Sequence, residues 1–183
     1  MIIRFVIIYL IVHISGVSMA TEIVTKSAHD FTFKTIDGEN LPLSSFSGKA
    51  ILIVNTASRC GFTRQYSALQ SLWQRYEGKG LIVLGVPSDD FGGQEPGTET
   101  DIKEFCKVNF NISFPLTKKT KVKGSFAHPF YRWAAKELGI VAKPRWNFHK
   151  YLVDPDGQLA NWFSTPTSPL SSRVIQAIET NLP

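Results

Sequence analysis

The chain has 183 residues, 43% apolar and 19% charged, which suits one domain with a substantial core and leaves too little for two. That balance excludes a disordered or fibrous chain. The formal net charge of +5 points toward anionic partners, yet the basic residues are scattered and the densest cluster, KKTKVKG at 118–124, carries no aromatic stacking pattern or nucleic-acid motif. A solvated, mildly basic surface without a nucleic-acid partner is the expectation.

The first twenty residues, MIIRFVIIYLIVHISGVSMA, combine Arg4, an apolar stretch from Phe5 to Val12 and a Ser18-Met19-Ala20 site of the A-x-A kind. This is the pattern of a secretory signal peptide. An uncleaved anchor is the alternative, but His13 interrupts the run short of the roughly 20 residues a bilayer requires. The expectation is a signal at residues 1–20, a single domain at residues 21–183, and export to a periplasmic or extracellular space.

After it, HDFTFKTIDGENLPLSSFSG alternates apolar and polar residues around Asp37-Gly38, which predicts a hairpin. AILIVNTA is near-continuously apolar and rich in β-branched residues, as a buried central strand is. Tyr66, Leu69, Leu72, Trp73 and Tyr76 recur at helical spacing, with Gly78 and Gly80 beyond them as stop signals. LIVLGVP reads as a second buried strand, and TETDIKEFCKVNF as a helix capped by Thr98 or Thr100.

HPFYRWAAKELG predicts a third helix, FHKYLVDPDGQLANWFS a second hairpin turning at DPDG, and SSRVIQAIETNL an amphipathic closing helix. The strand–helix–strand unit at 50–86 demands parallel strands with a crossover. The whole is therefore an α/β chain with a mixed sheet flanked by helices and an N-terminal hairpin, the layout of a thioredoxin-like domain.

The chain has two cysteines, too few for a disulfide framework and wrongly spaced for a zinc site. Cys60 falls just past the central strand, in ASRCGFT, where α/β sheets carry their chemistry and where helix N–H groups favour a thiolate. Its polar neighbours Ser58, Arg59 and Thr63 argue against a merely buried thiol. A disulfide exchanger would place a second cysteine where Thr63 stands.

Three segments, NTASRCGFT, GVPSDDFGGQEPG and RWNFHKYLV, resemble in order and spacing the signature segments of the glutathione peroxidase family. The resemblance runs from about Asp30 to the C-terminus. It implies a thioredoxin-like peroxidase whose site is Cys60, Gln94, Trp146 and Asn147, with cysteine in place of selenocysteine. It further implies hydrogen peroxide and organic hydroperoxides as substrates, with glutathione or a thioredoxin-like protein as thiol reductant and no bound cofactor or metal.

The chemistry suits these residue types. A thiolate attacks one peroxide oxygen while negative charge moves to the departing alkoxide or hydroxide. Neutral amide and indole N–H donors stabilise that charge without competing as nucleophiles. The product is a sulfenic acid that a second thiol reduces.

Several positions depart from the family. Ser88, Asp89 and Asp90 stand where a cysteine and amides are common, and one aspartate is expected to face solvent or pair with a base such as Arg59. The resemblance makes Cys106 a possible resolving cysteine, although it sits one residue early in EFCKVNF, with Lys107 at the resolving position. A buried helix-face thiol is the competing reading. The insertion that builds a tetramer contact in some members is absent, so a monomer is expected, and Lys143 and Arg145 are the basic residues to watch for reductant binding. The competing functions are thiol–disulfide exchange and a non-catalytic or copper-handling module, and neither accounts for Gln94 together with Trp146 and Asn147.

Overall fold

A computed structural model of the chain describes residues 26–183, so the expected signal segment at residues 1–20 lies outside them. Asp37-Gly38 turns a short antiparallel hairpin of β1 (Thr32–Lys34) and β2 (Asn40–Pro42), with Phe33 opposite Leu41. Gly38 supplies the positive φ of 99° that closes the turn, and its N–H bonds the Thr35 carbonyl at 2.9 Å.

The central strand β3 (Ala50–Thr56) is buried at every position, as its unbroken apolar run requires. It leads through a turn into α1 (Gln65–Tyr76), whose Tyr66, Leu69, Leu72 and Tyr76 form the buried face. The helix passes Gly78 in a 3-10 turn and stops at Gly80, where φ is 91°. A parallel strand β4 (Leu81–Pro87) follows, and then α2 (Glu99–Phe110).

Thr98 caps α2 in a reciprocal box with Asp101, satisfying two orphan donors. Pro129 opens α3 (Pro129–Glu137) behind the His128 cap. Strands β5 (Lys150–Val153) and β6 (Leu159–Phe163) form the second hairpin, turned by Asp154 and Gly157, and α4 (Ser172–Thr180) closes the chain.

The sheet order is β4-β3-β5-β6, with β3 and β4 parallel and the remaining pairs antiparallel. Alternation splits the interior into two cores. Leu52, Val54, Val83 and Leu152 face α1, α2 and α4, while Ile51, Ile53, Leu84 and Tyr151 face α3 and the N-terminal hairpin. Both faces are covered, which is why β3 and β4 carry no polar alternation.

Gly85, in the middle of β4, has a packing reason. The 114–117 segment crosses it, bonding the Gly85 N–H to the Pro115 carbonyl at 3.0 Å and the Thr117 N–H to the Gly85 carbonyl at 2.9 Å. A β-carbon there would lie 2.5 Å from Leu116 Cδ2 and 3.1 Å from Phe114. Gly85→Ala is expected to destabilise the fold by about 1–3 kcal/mol through overpacking, read as a lower denaturant midpoint at unchanged slope.

Candidate active site

Cys60 lies in the turn between β3 and α1, five residues before the helix starts at Gln65. Successive turns fill that gap: the Thr63 N–H bonds the Cys60 carbonyl, and the Tyr66 N–H bonds the Thr63 carbonyl, each at 3.0 Å. Thr63 does a structural job at the place of an exchanger's second cysteine. Its hydroxyl accepts the Cys60 N–H at 3.0 Å and donates to the Ala57 carbonyl at 2.9 Å. The Cys60 sulfur is nearly buried, at 8% exposure for the residue, and receives the Phe62 N–H at 3.4 Å.

Gln94 sits on the loop between β4 and α2, and its backbone carbonyl accepts the Arg59 N–H at 3.0 Å. That bond joins the loop to the residue preceding Cys60. Neither aspartate pairs with Arg59. Asp90 bonds the N–H groups of Val122 and Lys123 at 2.6 and 3.1 Å and forms an ion pair with Lys121 at 3.0 Å, while Asp89 accepts the Glu95 N–H at 2.9 Å. Burial pulls the Asp90 carboxyl upward, but those N–H groups and Lys121 outweigh it and hold the carboxyl below its ordinary value.

The basic cluster at 118–124 is thus more than a solvated surface. Lys119 bonds the carbonyls of Glu95 and Gly97 at 3.1 and 2.8 Å, and the Lys123 ammonium lies 5.0 Å from the Phe91 ring centre. Three lysines of the cluster brace the 89–97 loop.

The third segment, 146–149, runs into β5. Phe148 has a φ of 62°, a left-handed conformation that a bulky residue adopts only when its surroundings impose it. Three consecutive carbonyls here are each claimed by a different side chain. Asn55 Nδ2 bonds Trp146 at 3.1 Å, Thr165 Oγ1 bonds Asn147 at 2.7 Å, and Lys150 Nζ bonds Phe148 at 2.7 Å. The Phe148 N–H returns to the Asn55 carbonyl at 2.6 Å.

The two loops meet through their amides: Asn147 Nδ2 donates to Gln94 Oε1 at 2.9 Å. Trp146, 39% exposed, packs against Phe91 with ring centres 5.9 Å apart. A β-carbon on Gly92 would lie 3.7 Å from both Trp146 and Gln94, so those side chains flank the loop's glycine. Beside Trp146 lies a groove of about 510 Å³, mostly apolar, with Lys143 and Arg145 among its lining residues.

The structure therefore unites Gln94 and Asn147, sets Trp146 against their loop, and ties that loop to the Cys60 turn. Cys106 stands apart. It is 1% exposed on an intact α2, and both cysteines are free thiols. Burial pushes the Cys106 thiol up to about 11, with the Tyr66 hydroxyl opposing and the Glu95 carboxyl adding to the rise.

Sequence reasoning missed Asn55, Lys150, Thr165 and Glu95. The first two left a signal, since each is a polar residue inside a strand that is otherwise apolar. Thr165 left none.

A mixed sheet with helices on both faces, and a cysteine turn beyond the end of its central strand, defines a thioredoxin-like protein. The family model of glutathione peroxidase matches residues 28–135, more than half of the chain. The chain is 44% identical over 139 residues to a glutathione peroxidase-like peroxiredoxin of Chlamydomonas reinhardtii, covering 75% of this chain and 86% of that protein. It is 40% identical over 143 residues to a glutathione peroxidase of Lactococcus lactis, covering 77% and 91%. The crystal structure of an apo protein called Trgpx superposes with a TM-score of 0.68 at 32% identity, over 86% of this chain and 99% of that one. The chain belongs to the glutathione peroxidase family.

Several buried groups make stability depend on pH. Burial raises the Glu95 carboxyl from 4.5 to about 7, so the folded state holds a proton that the unfolded chain has lost, and stability falls as pH rises between those values. Burial lowers the Lys150 amine from 10.5 to about 7, so the unfolded chain holds the extra proton, and stability climbs again from about 7 to 10.5. Burial also lowers His149 from 6.5 to about 4, so its contribution climbs across that range and offsets much of the Glu95 loss, while Cys106, raised from 9.0 to about 11, opposes Lys150 above pH 9. The expected net result is a melting temperature that rises from about pH 7 to pH 9, and Lys150→Met should flatten that rise.

Proposed function

We propose that this chain is a thiol peroxidase acting through Cys60 on hydrogen peroxide and organic hydroperoxides. The observation that carries this reading is the Gln94–Asn147 amide contact at 2.9 Å, on a loop bonded to the residue before Cys60. That contact joins two loops distant in sequence, one of them bonded to the residue before Cys60, and supports a site of uncharged donors.

In the reaction the Cys60 thiolate attacks one peroxide oxygen, a sulfur–oxygen bond forms and the oxygen–oxygen bond breaks. The departing hydroxide or alkoxide takes a proton and leaves as water or alcohol. Among the described residues the Gln94 Nε2 and Trp146 Nε1 hydrogens have no partner, so they are available to the developing charge. A reductant thiol then condenses with the sulfenic acid, releasing water and leaving a disulfide, which a second thiol reduces.

The groove beside Trp146 is the place we assign to the incoming thiol, since Lys143 and Arg145 suit an anionic one. Cys106 is the internal candidate for the same role. Export with cleavage after Ala20 rests on the signal pattern of residues 1–20, and a monomer on the missing insertion. N-terminal sequencing of the mature protein beginning at Thr21 is the expected result.

Stopped-flow peroxide consumption tests the reading. Cys60→Ser should abolish turnover, and loss of one donor through Gln94→Ala or Trp146→Phe should lower kcat/KM by about 10²–10³. Activity surviving in Cys60→Ser would remove the nucleophile from the scheme. Mass spectrometry of peroxide-treated protein then separates the reductants: a Cys60–Cys106 disulfide marks internal resolution, and a lasting Cys60 sulfenic acid marks an external thiol.

A further inference from the structure

Glu95 follows Gln94 directly and is 1% exposed, an unusual place for a carboxyl group. The Ser58 hydroxyl lies 2.6 Å from its Oε1, while Oε2 is buried without a partner. Its backbone is held as well, the N–H by Asp89 at 2.9 Å and the carbonyl by Lys119 at 3.1 Å. Ser58 and Arg59 immediately precede Cys60, so two bonds span the same gap: Ser58 to Glu95, and the Arg59 N–H to the Gln94 carbonyl at 3.0 Å.

We propose that Glu95 is a positioning residue, whose neutral carboxyl pins the Gln94 loop to the turn that carries Cys60. With Ser58 donating to Oε1, a neutral carboxyl carries its proton on Oε2 and leaves one uncharged hydroxyl unpaired, at modest cost. An ionised one strands a negative charge there, and buried charge without partners is far more costly.

Hydrogen bonds from Ser58 and the charge of Lys119 favour the ionised carboxyl, but burial outweighs them and Asp89 adds to the rise. Ser58 and Arg59 approach from the Cys60 turn, Asp89 from its own loop, and Lys119 from the basic cluster with its ammonium spent on the carbonyls of Glu95 and Gly97. Tyr66 on α1 and Cys106 on α2 face it as neutral groups raised by their own burial, and Asp101 at the start of α2 adds a like charge already committed to Thr98. A crevice of about 180 Å³ lies between the loop and α2, lined by Glu95, Gly97, Ile102 and Phe105. Ionised Glu95 escapes by hydrating through that crevice, which carries Gln94 away from Cys60. Burial places this ionisation near pH 7, so the tie holds below neutrality and loosens above it.

The kinetic arm rests on the peroxidase reading, and the exchange arm does not. In wild type, protection of the Arg59 amide measured by hydrogen exchange should fall about tenfold between pH 6 and pH 8.5, following ionisation of one group. Glu95→Gln, neutral throughout, should keep that protection. Its peroxide rate constant at pH 8.5, relative to its own value at pH 6, should exceed the wild-type ratio by about tenfold. Cys60 ionisation is common to both proteins and cancels in that comparison.

Ser58→Ala cuts the tie without touching Glu95 and should lose Arg59 protection already at pH 6. That arm stands even where Glu95→Gln does not fold. Parallel normalised profiles with pH-independent Arg59 protection, or full protection in Ser58→Ala at pH 6, would overturn the proposal. Absence of peroxide consumption at every pH would instead count against the peroxidase reading, with Arg59 exchange still reporting on the tie.

Discussion

The site depends on Asn55, the one amide in the buried central strand. Its side chain holds the Trp146 carbonyl, its own carbonyl receives the Phe148 N–H, and its N–H bonds the His149 carbonyl at 3.2 Å. A fully buried amide is tolerated only when its polar atoms are largely satisfied, and these bonds satisfy most of them with one short stretch of chain. In exchange, that stretch is fixed to the end of β3, beside the turn that carries Cys60. The left-handed backbone at Phe148 follows from this fixing, and Thr165 and Lys150 complete it by taking the next two carbonyls.

The loop bearing Gln94 is held by a different physics. It contains no strand or helix, so side chains hold it: Lys119 takes two of its carbonyls, its own Asp89 takes the Glu95 N–H, and Asp90 reaches out to the N–H groups of Val122 and Lys123. The 146–149 segment is thus anchored to the sheet, while the Gln94 loop is anchored by charges. The Asn147–Gln94 contact joins these two differently anchored segments.

The fold was legible because β3 and β4 are continuous apolar runs, α1 has clean helical periodicity, and Asp37-Gly38 and DPDG mark both hairpins. Cys60, Gln94, Trp146 and Asn147 were named as site residues through three motifs together, none of which specifies a site alone. What stayed hidden was partner choice. One of the aspartates at 89 and 90 was expected to face solvent or pair with a basic residue such as Arg59; Asp90 does pair with a basic residue, but nothing local indicates that it is Lys121, more than thirty residues away. The same holds for the basic cluster, whose composition reads as solvated surface and whose geometry is a brace. Long-range polar pairing is set by tertiary approach, and one sequence carries no record of it.

Cys106 shows how such a structure bears on mechanism. A resolving role requires its thiol to reach Cys60, and its present seat is a buried position beside Tyr66. Both cysteines lie in the same core cluster, and opening of α2 would free the Cys106 thiol from that seat. Of the twelve residues of α2 only Ile102 and Cys106 are buried, whereas α1 buries five of twelve. Its other holds include Phe105 and Phe110, partly buried against the same core, and an exposed Lys103–Asp37 pair. Segments with few buried apolar contacts open at well below the global unfolding free energy. Release of α2 would also move Cys106 out of a pocket that raises its thiol and into water, where the thiolate forms more readily. Burial raises the Cys106 thiol in the resting structure, so a resolving role would require that helix to open.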